Sequence, residues 1–355
     1  MEIILHIGLH KTATKFFQHK VFKFIPKKEL IYNPPKLTQL ISDLLKADEQ
    51  DLDLVLSEIE KEINNLERKP TNKILISREI MSGNPFDFYK NFSVTSFRLS
   101  HALNSNVKVI CFFRYQMDWI KSCYRETLHE HHYQKIEQFL EFKKGEDKFV
   151  KANYKDLSWV NVANSLIKNF SSEHCFFFFY EDFKNQRENT LKLLADIIGL
   201  KTLEVFDQAD RIPNRGYSSF SIKLSIFRYR LLSKINLNSL IHRPIFFFGE
   251  KSIPAGFENL SVLPKKEYWG SYFHRDNEEV RSNNYPNLTL GEKVRQITSW
   301  RYIIKNIIDK IYYYDDGVRL NPKQESKMEQ FFYRENSRLK KCHKMLEELP
   351  KIYKH

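Results

Sequence analysis

The sequence predicts an α/β fold: an open parallel β-sheet flanked by helices, with a mainly helical C-terminal extension. Three observations predict it. Short apolar, β-rich runs alternate with helical stretches through the first 200 residues, the signature of β-α-β units with right-handed crossovers. The runs are continuously apolar, as strands covered on both faces must be. Finally, the residues best suited to chemistry stand just past the carboxyl ends of those runs, where open parallel sheets gather their ligands.

The strand candidates are residues 3–7, 29–33, 73–77, 107–113 and 174–179. Helical patterns separate them at 14–24, 37–65, 92–104, 118–128 and 156–169. Residues 205–290 differ in composition, being rich in Arg, Ser, Phe and Pro. There the segment 211–218 reads as a loop, 219–235 as a basic helix, and 244–257 as an aromatic loop or short strand. Phe246 to Phe248 fill a satellite core on this reading; the alternative is an acceptor-site lid or a peripheral membrane contact. Residues 293–314 and 323–349 read as helices. The expected organisation is a core over 1–204, a lid or acceptor-side insertion over 205–290, and a helical segment over 291–355 that packs on the core.

The first strand, Ile3 to Ile7, breaks at Gly8 into a loop, Gly-Leu-His-Lys-Thr-Ala-Thr-Lys, and a helical pattern follows. Strand, loop with lysine and hydroxyls, then helix is a way to hold an anionic phosphate group: backbone N–H groups at the helix start point at the anion and the helix dipole favours its charge. The loop is of the P-loop type in position but not a Walker A loop, Gly, four residues, Gly-Lys-Ser/Thr. Counted from Gly8, the last three places fall on Ala13, Thr14 and Lys15. Past the run Val107 to Phe113 stand Arg114, Asp118 and Ser122, spaced Arg-x-x-x-Asp-x-x-x-Ser. Arginine offers a rigid bidentate fork for phosphate. Asp118 is placed to cap the next helix, which puts Ser122 on the first helical turn as a further donor.

These two segments resemble the donor-binding motifs of sulfotransferases that use 3′-phosphoadenosine 5′-phosphosulfate (PAPS). The loop is similar to the 5′-phosphosulfate loop, Gly-x-x-Lys-Thr-Gly-Thr-Thr/Ser, with two departures. Ala13 replaces a glycine, which requires a negative φ there. Lys15 replaces a small hydroxyl, as in the loop of some heparan sulfate sulfotransferases. Arg114, Asp118 and Ser122 match every fixed position of the 3′-phosphate motif. Tyr180-Glu-Asp-Phe183, a helix and Ile197-Ile-Gly-Leu200 form a third, weaker likeness, and residues 333–339 are loosely similar to the closing helix of the family.

The resemblance implies sulfuryl transfer from PAPS as co-substrate to an acceptor hydroxyl, expected on a carbohydrate or glycolipid, with no metal required. Lys11 would stabilise the bridging oxygen and the leaving group. Thr12 and Thr14 would donate to the 5′-phosphate or sulfuryl oxygens, with Ala13 and Lys15 completing the cradle. Arg114 and Ser122 would hold the 3′-phosphate, and Arg215 would close over the nucleotide. A base must take the acceptor's proton: Glu79, just past the run 73–77, is the first candidate, and His10 in the loop is the alternative.

The formal net charge of +13 suggests anionic partners. No helix-turn-helix, zinc finger or RNA-binding pattern points to nucleic acid. A P-loop kinase would need a Walker B carboxylate at a strand end, and none is evident. Cys111, Cys123, Cys175 and Cys342 form no C-x-x-C pair and read as reduced thiols. His129, His131 and His132 have metal-like spacing but no acidic or cysteine partner in view. The chain starts on a core strand, so neither signal peptide nor transmembrane segment is expected, and the expectation is a cytoplasmic enzyme.

Overall fold

The computed structural model describes residues 1–103, 107–129, 132–145, 150–206, 216–235, 300–313, 317–346 and 348–353. The loop 211–215 with Arg215, the aromatic segment 244–257 and most of 205–290 therefore lie outside the described residues, as do His131 and the side chain of His129.

Five strands form one sheet: β1 Glu2–Ile7, β2 Ile31–Tyr32, β3 Lys73–Arg78, β4 Val107–Phe113 and β5 Cys175–Phe179. Their order is β2-β3-β1-β4-β5, and every pairing is parallel. The α/β open parallel sheet is thus as the sequence predicts. The chain moves from β1 to one edge, returns to β3, then passes β1 to β4. Open parallel sheets bind their ligands at such a reversal, outside the carboxyl ends of the strands.

Both faces are dry. Ile3, Leu5 and Ile7 of β1 join Ile74 and Ile76 of β3 and Val109, Cys111 and Phe113 of β4 in one core. Ile4, Leu75, Ile110 and Phe112 point the other way into a second, phenylalanine-rich core. The thicker layer carries α2 (Pro35–Leu44), α3 (Glu49–Glu67), α4 (Phe92–Leu103), α5 (Gln116–His129), α6 (Ile136–Phe139) and α7 (Trp159–Phe170). The thinner one carries α1 (Thr14–Lys20), α8 (Tyr180–Asn185) and α9 (Arg187–Ile198). Lysines from the sheet anchor α9: Lys73 Nζ donates to the carbonyls of Ile198 and Gly199, each at 3.0 Å, and Lys108 Nζ to Ile197 at 2.9 Å. Cations at a helix C-terminus satisfy its orphan carbonyls and oppose its dipole.

Several boundaries differ from expectation for local reasons. The edge strand spans only Ile31–Tyr32, because Asn33 turns to a positive φ of 42° and its side chain binds the Ser77 backbone instead. The helix expected over 37–65 is two helices, since Arg98 Nη1 takes the carbonyls of Leu44 and Ala47 at 3.0 and 2.9 Å and closes α2. The first helix stops at Lys20 and continues as a 3₁₀ turn, Phe22–Phe24. Ser158 caps α7, accepting from Asn161 N–H at 3.2 Å, so the helix begins three residues later than the pattern suggests. The described part of 293–314 runs Trp300–Ile303, a π-helical Ile304–Ile308 and Asp309–Ile311.

Residues 219–235 contain α10 (Ser219–Lys234), and the C-terminal helix α11 spans Pro322–Leu339. α11 lies against α5 and α7. Gln116 Nε2 donates to Asn336 Oδ1 at 2.6 Å, Ser158 Oγ to Glu335 Oε2 at 2.6 Å, and Lys121 pairs with Glu325 at 2.7 Å. All four cysteines are free, with Cys111, Cys123 and Cys175 buried. Among the described residues no helix is long and apolar enough to cross a membrane.

Candidate functional site

The loop after β1 is built around one carbonyl. Thr12 Oγ1 donates to Leu9 O at 2.5 Å and Thr14 Oγ1 to the same oxygen at 3.1 Å. Both threonines are fully buried, so they shape the loop from within. Gly8 is required by this folding-back: a Cβ there would fall 2.9 Å from Thr14 Cβ and closer still to its Cγ2 and Oγ1. The backbone turns through left-handed conformations at Lys11 (φ 65°) and Ala13 (φ 66°). The negative φ expected at Ala13 is therefore wrong. Ala13 occupies the N-cap of α1 in the conformation that favours glycine.

The result is a turn that leaves several backbone donors close together in the chain. Among the described residues, the N–H groups of Lys11, Ala13, Thr14 and Lys15 find no acceptor, while Phe16 N–H donates to Ala13 O at 2.8 Å. Left-handed residues alternating with others make such concave arrays of N–H groups. Here the array opens at the start of a helix whose side chains contribute no acid to the first turn.

Arg114, at the end of β4, reaches this loop directly. Its Nη1 donates to Lys11 O at 3.1 Å, and its guanidinium lies 4.7 Å from the Tyr180 ring centroid. Among the described residues Arg114 Nε is buried with no hydrogen-bond partner. Its backbone carbonyl receives Trp159 Nε1–H at 2.8 Å, which fixes the strand end. Glu181 closes the far side, accepting from Tyr115 N–H at 2.9 Å and Tyr353 O–H at 3.1 Å. Burial raises the Glu181 pKa, and Arg114 partly opposes the shift.

The helix after Arg114 starts at Gln116. Asp118 is thus inside the first turn, facing the positive end of the dipole, and is not the N-cap expected from the sequence. Ser122 falls on the second turn, half-buried. One turn further, Glu126 Oε2 accepts from Lys11 Nζ at 2.8 Å, with side-chain exposures of 14% and 31%. Trp119 Nε1 donates to His10 O at 2.6 Å. So α5 holds the loop at two consecutive residues.

At the end of β3, Glu79 opens a 3₁₀ turn, Glu79–Ser82. Its Oε2 lies 4.0 Å from His10 Nε2, both side chains largely buried. The two candidate bases are thus neighbours. His10 is further held by Tyr89, whose hydroxyl is 2.9 Å from His10 N and 3.2 Å from its Nδ1.

The structure places Lys11, Thr12, Ala13, Thr14, Lys15, His10, Glu79 and Arg114 at the three central strand ends or in the segments that follow them, and Ser122 on the second turn of α5. Arg215 lies outside the described residues. Sequence reasoning missed Glu126, Tyr89, Trp119 and Tyr180 as neighbours of this site. Tyr180 alone left a signal, as the first residue of the Tyr-Glu-Asp-Phe segment.

Residues 52–216 match the Sulfotransferase domain family. Over that span, somewhat under half of the 355 residues, the chain is similar to sulfotransferases. The match includes Glu79, Arg114 and Ser122 and begins beyond the loop after β1. A sulfotransferase from Alicyclobacillus acidocaldarius is similar over 69% of this chain and 97% of its own, at 13% identity and a TM-score of 0.43. Mouse sulfotransferase SULT7A1, solved in complex with PAP, is similar over 84% of this chain and 89% of its own, at 16% identity and a TM-score of 0.31. No curated protein matches the chain.

Proposed function

We propose that the protein transfers a sulfuryl group from PAPS to a hydroxyl of a carbohydrate or glycolipid. One observation carries the donor part: among the described residues the N–H groups of Lys11, Ala13, Thr14 and Lys15 have no acceptor, and they lie in the loop that Arg114 contacts at Lys11 O. That is a site for a doubly anionic group, with the orphan Arg114 Nε available for a second phosphate. On this reading the loop N–H groups hold the 5′-phosphosulfate, and Arg114 with Ser122 holds the 3′-phosphate. Thr12 and Thr14 act chiefly by shaping the loop, since their hydroxyls are already spent on Leu9 O.

In the reaction the acceptor oxygen bonds to sulfur as the bond from sulfur to the phosphate oxygen breaks. The electron pair leaves on the 3′,5′-bisphosphate, and the acceptor's proton passes to a base beside the loop. Glu79 is that base, with His10 next to it. Lys11 supplies positive charge where the leaving oxygen develops negative charge, and oriented charge of this type is worth most in a site prepared before the reaction. The net charge of +13 supports an acidic glycan as acceptor.

Calorimetric titration with 3′-phosphoadenosine 5′-phosphate, against ATP with Mg²⁺, tests the donor. Micromolar binding of the bisphosphate is expected. Arg114→Ala should weaken it by about 10- to 100-fold, the worth of charge-assisted hydrogen bonds. Preference for ATP overturns the donor reading. Transfer of radiolabelled sulfate to a panel of glycans, glycolipids and phenols tests the acceptor, and label confined to phenols overturns the glycan part.

A further inference from the structure

Three successive residues at the end of β4 are each tied to a different part of the chain. The Arg114 carbonyl accepts from Trp159 Nε1 at 2.8 Å. The Tyr115 N–H donates to Glu181 Oε1 at 2.9 Å. The Gln116 side chain donates to Asn336 Oδ1 at 2.6 Å. The last two ties converge on one residue, Tyr353, in the 3₁₀ turn Lys351–Tyr353. Its hydroxyl donates to Glu181 Oε2 at 3.1 Å, and its carbonyl accepts from Asn336 Nδ2 at 3.4 Å. Its ring stands edge-on to Tyr115 and Phe179, with centroids 5.5 and 5.0 Å away. Only 1% of its surface is exposed.

Glu181 is the hub of this arrangement. One carboxylate oxygen takes the Tyr115 backbone and the other takes the Tyr353 phenol. Burial, with the Glu181 charge beside it, holds that phenol well above its ordinary pKa, so it stays a donor. Arg114 acts on the pair from the other side: its charge favours the ionised form of both Glu181 and Tyr353. The residue before Glu181 meets the guanidinium itself, with the Tyr180 ring centroid 4.7 Å from it. Adjacent residues at the start of α8 thus hold Arg114 at two levels, Tyr180 at its head and Glu181 at the backbone just after it. A guanidinium is a planar fork, and its worth to a phosphate depends on its direction. Fixing the strand end and the ring face fixes that direction.

We infer that Glu181 and Tyr353 are positioning residues: the turn Lys351–Tyr353 clamps the end of β4 through the Glu181 carboxylate and so aims Arg114 at the 3′-phosphate of the donor. The ligand of Arg114 rests on the proposed donor; the clamp does not. Neither residue needs to touch the nucleotide. A segment far along the chain thereby tunes donor affinity through one arginine.

The test combines calorimetry and hydrogen exchange on the full-length protein. Tyr353→Phe keeps the ring beside Tyr115 and Phe179 and removes the hydroxyl alone. It should weaken binding of 3′-phosphoadenosine 5′-phosphate about three- to tenfold, the worth of one hydrogen bond. In an Arg114→Ala background the same change should have no further effect, because residues that act through one another are not additive. Exchange of the Tyr115 amide should quicken by about threefold or more in Tyr353→Phe. Unchanged bisphosphate affinity, or an equal loss with and without Arg114, overturns the positioning role. An unchanged Tyr115 amide overturns the clamp. Should Tyr353→Phe fail to fold, Glu181→Gln, which removes the charge that both donors share, is measured and read in the same way. Wild type that does not bind the bisphosphate, with a Tyr115 amide that quickens in the variant, removes the donor and leaves the clamp. Binding with an unchanged amide removes the clamp and leaves the donor.

Discussion

The segments that follow β1 and β3 meet at His10, yet they are built on opposite plans. The loop after β1 works through its backbone. Its threonine hydroxyls turn inward to Leu9 O, and its N–H groups at Lys11, Ala13, Thr14 and Lys15 find no acceptor among the described residues. The segment after β3 works through side chains, with Glu79, Ser82, Asp87 and Tyr89 arranged around one imidazole or one another. A backbone cradle serves any anion of the right size. A side-chain cluster fixes proton positions one by one. Donor binding and proton transfer need those two kinds of precision.

The backbone plan makes the first loop intolerant of any atom at Gly8, and this is the largest expected effect. In Gly8→Ala the new methyl meets Thr14, a buried β-branched residue tied to Leu9 O, so it has no cheap direction to yield. We expect a stability loss of about 1–3 kcal/mol, the usual cost of overpacking, and loss of bisphosphate binding by calorimetry. Intact binding would show that the cradle does not depend on the fold-back between Gly8 and Thr14.

Asp87 probes the side-chain plan. It accepts from Tyr89 N–H at 3.0 Å, and burial raises its pKa to about 6. A carboxyl whose folded pKa is raised contributes stability that is fully present below its unfolded value, near 4, and is lost as pH climbs through about 6. Asp87→Asn keeps the accepting oxygen but cannot ionise. Its stability relative to wild type should therefore rise between about pH 4 and 6, by about 2–3 kcal/mol in denaturant titrations, and then level off. A flat difference would mean that the carboxylate is already well solvated.

The smaller third test concerns the bond between the loop and α5. Lys11 is paired with Glu126 at 2.8 Å. Glu126→Gln removes a negative charge next to an anion site and releases Lys11 toward it. Pairs this exposed are worth about 0.2–1 kcal/mol, so bisphosphate affinity should increase about two- to fivefold. Weaker binding would make Glu126 a support that positions Lys11.

The two plans also differ in how far the sequence reveals them. A backbone cradle needs particular residues at fixed local spacing, so Gly8, Lys11, Thr12 and Thr14 stand out, as do Arg114 and Ser122 on one strand end and helix. The five parallel strands are legible because each is a short apolar run. The side-chain cluster leaves no such trace. Tyr89 lies ten residues past Glu79, after a 3₁₀ turn, and Glu126 is one more acid on a charged helix face. Their proximity comes from the crossover geometry of β3 and β4 around β1, which no local spacing encodes. Boundaries failed where one long-range side chain intervenes, as Arg98 does at the end of α2.

Ala13 is where sequence and structure pull against each other, and it supports the finest test. Its φ of 66° puts an L-residue where the related motif has glycine. The left-handed region costs such a residue about 1–2 kcal/mol. Glycine would avoid that cost but loses about 0.4–1 kcal/mol to the greater freedom of the unfolded chain. Ala13→Gly should therefore gain a net of about 0.8 kcal/mol. The contrast is Ala195→Gly inside α9, a right-handed helix, where the same change should cost about 1 kcal/mol. Bisphosphate affinity should stay within about twofold for Ala13→Gly, because the N–H of residue 13 keeps its place. Stabilisation with unchanged binding would make the alanine a strained but working version of the glycine loop. Destabilisation would mean that the methyl, packed against the phenylalanine-rich core, contributes more than the left-handed turn costs.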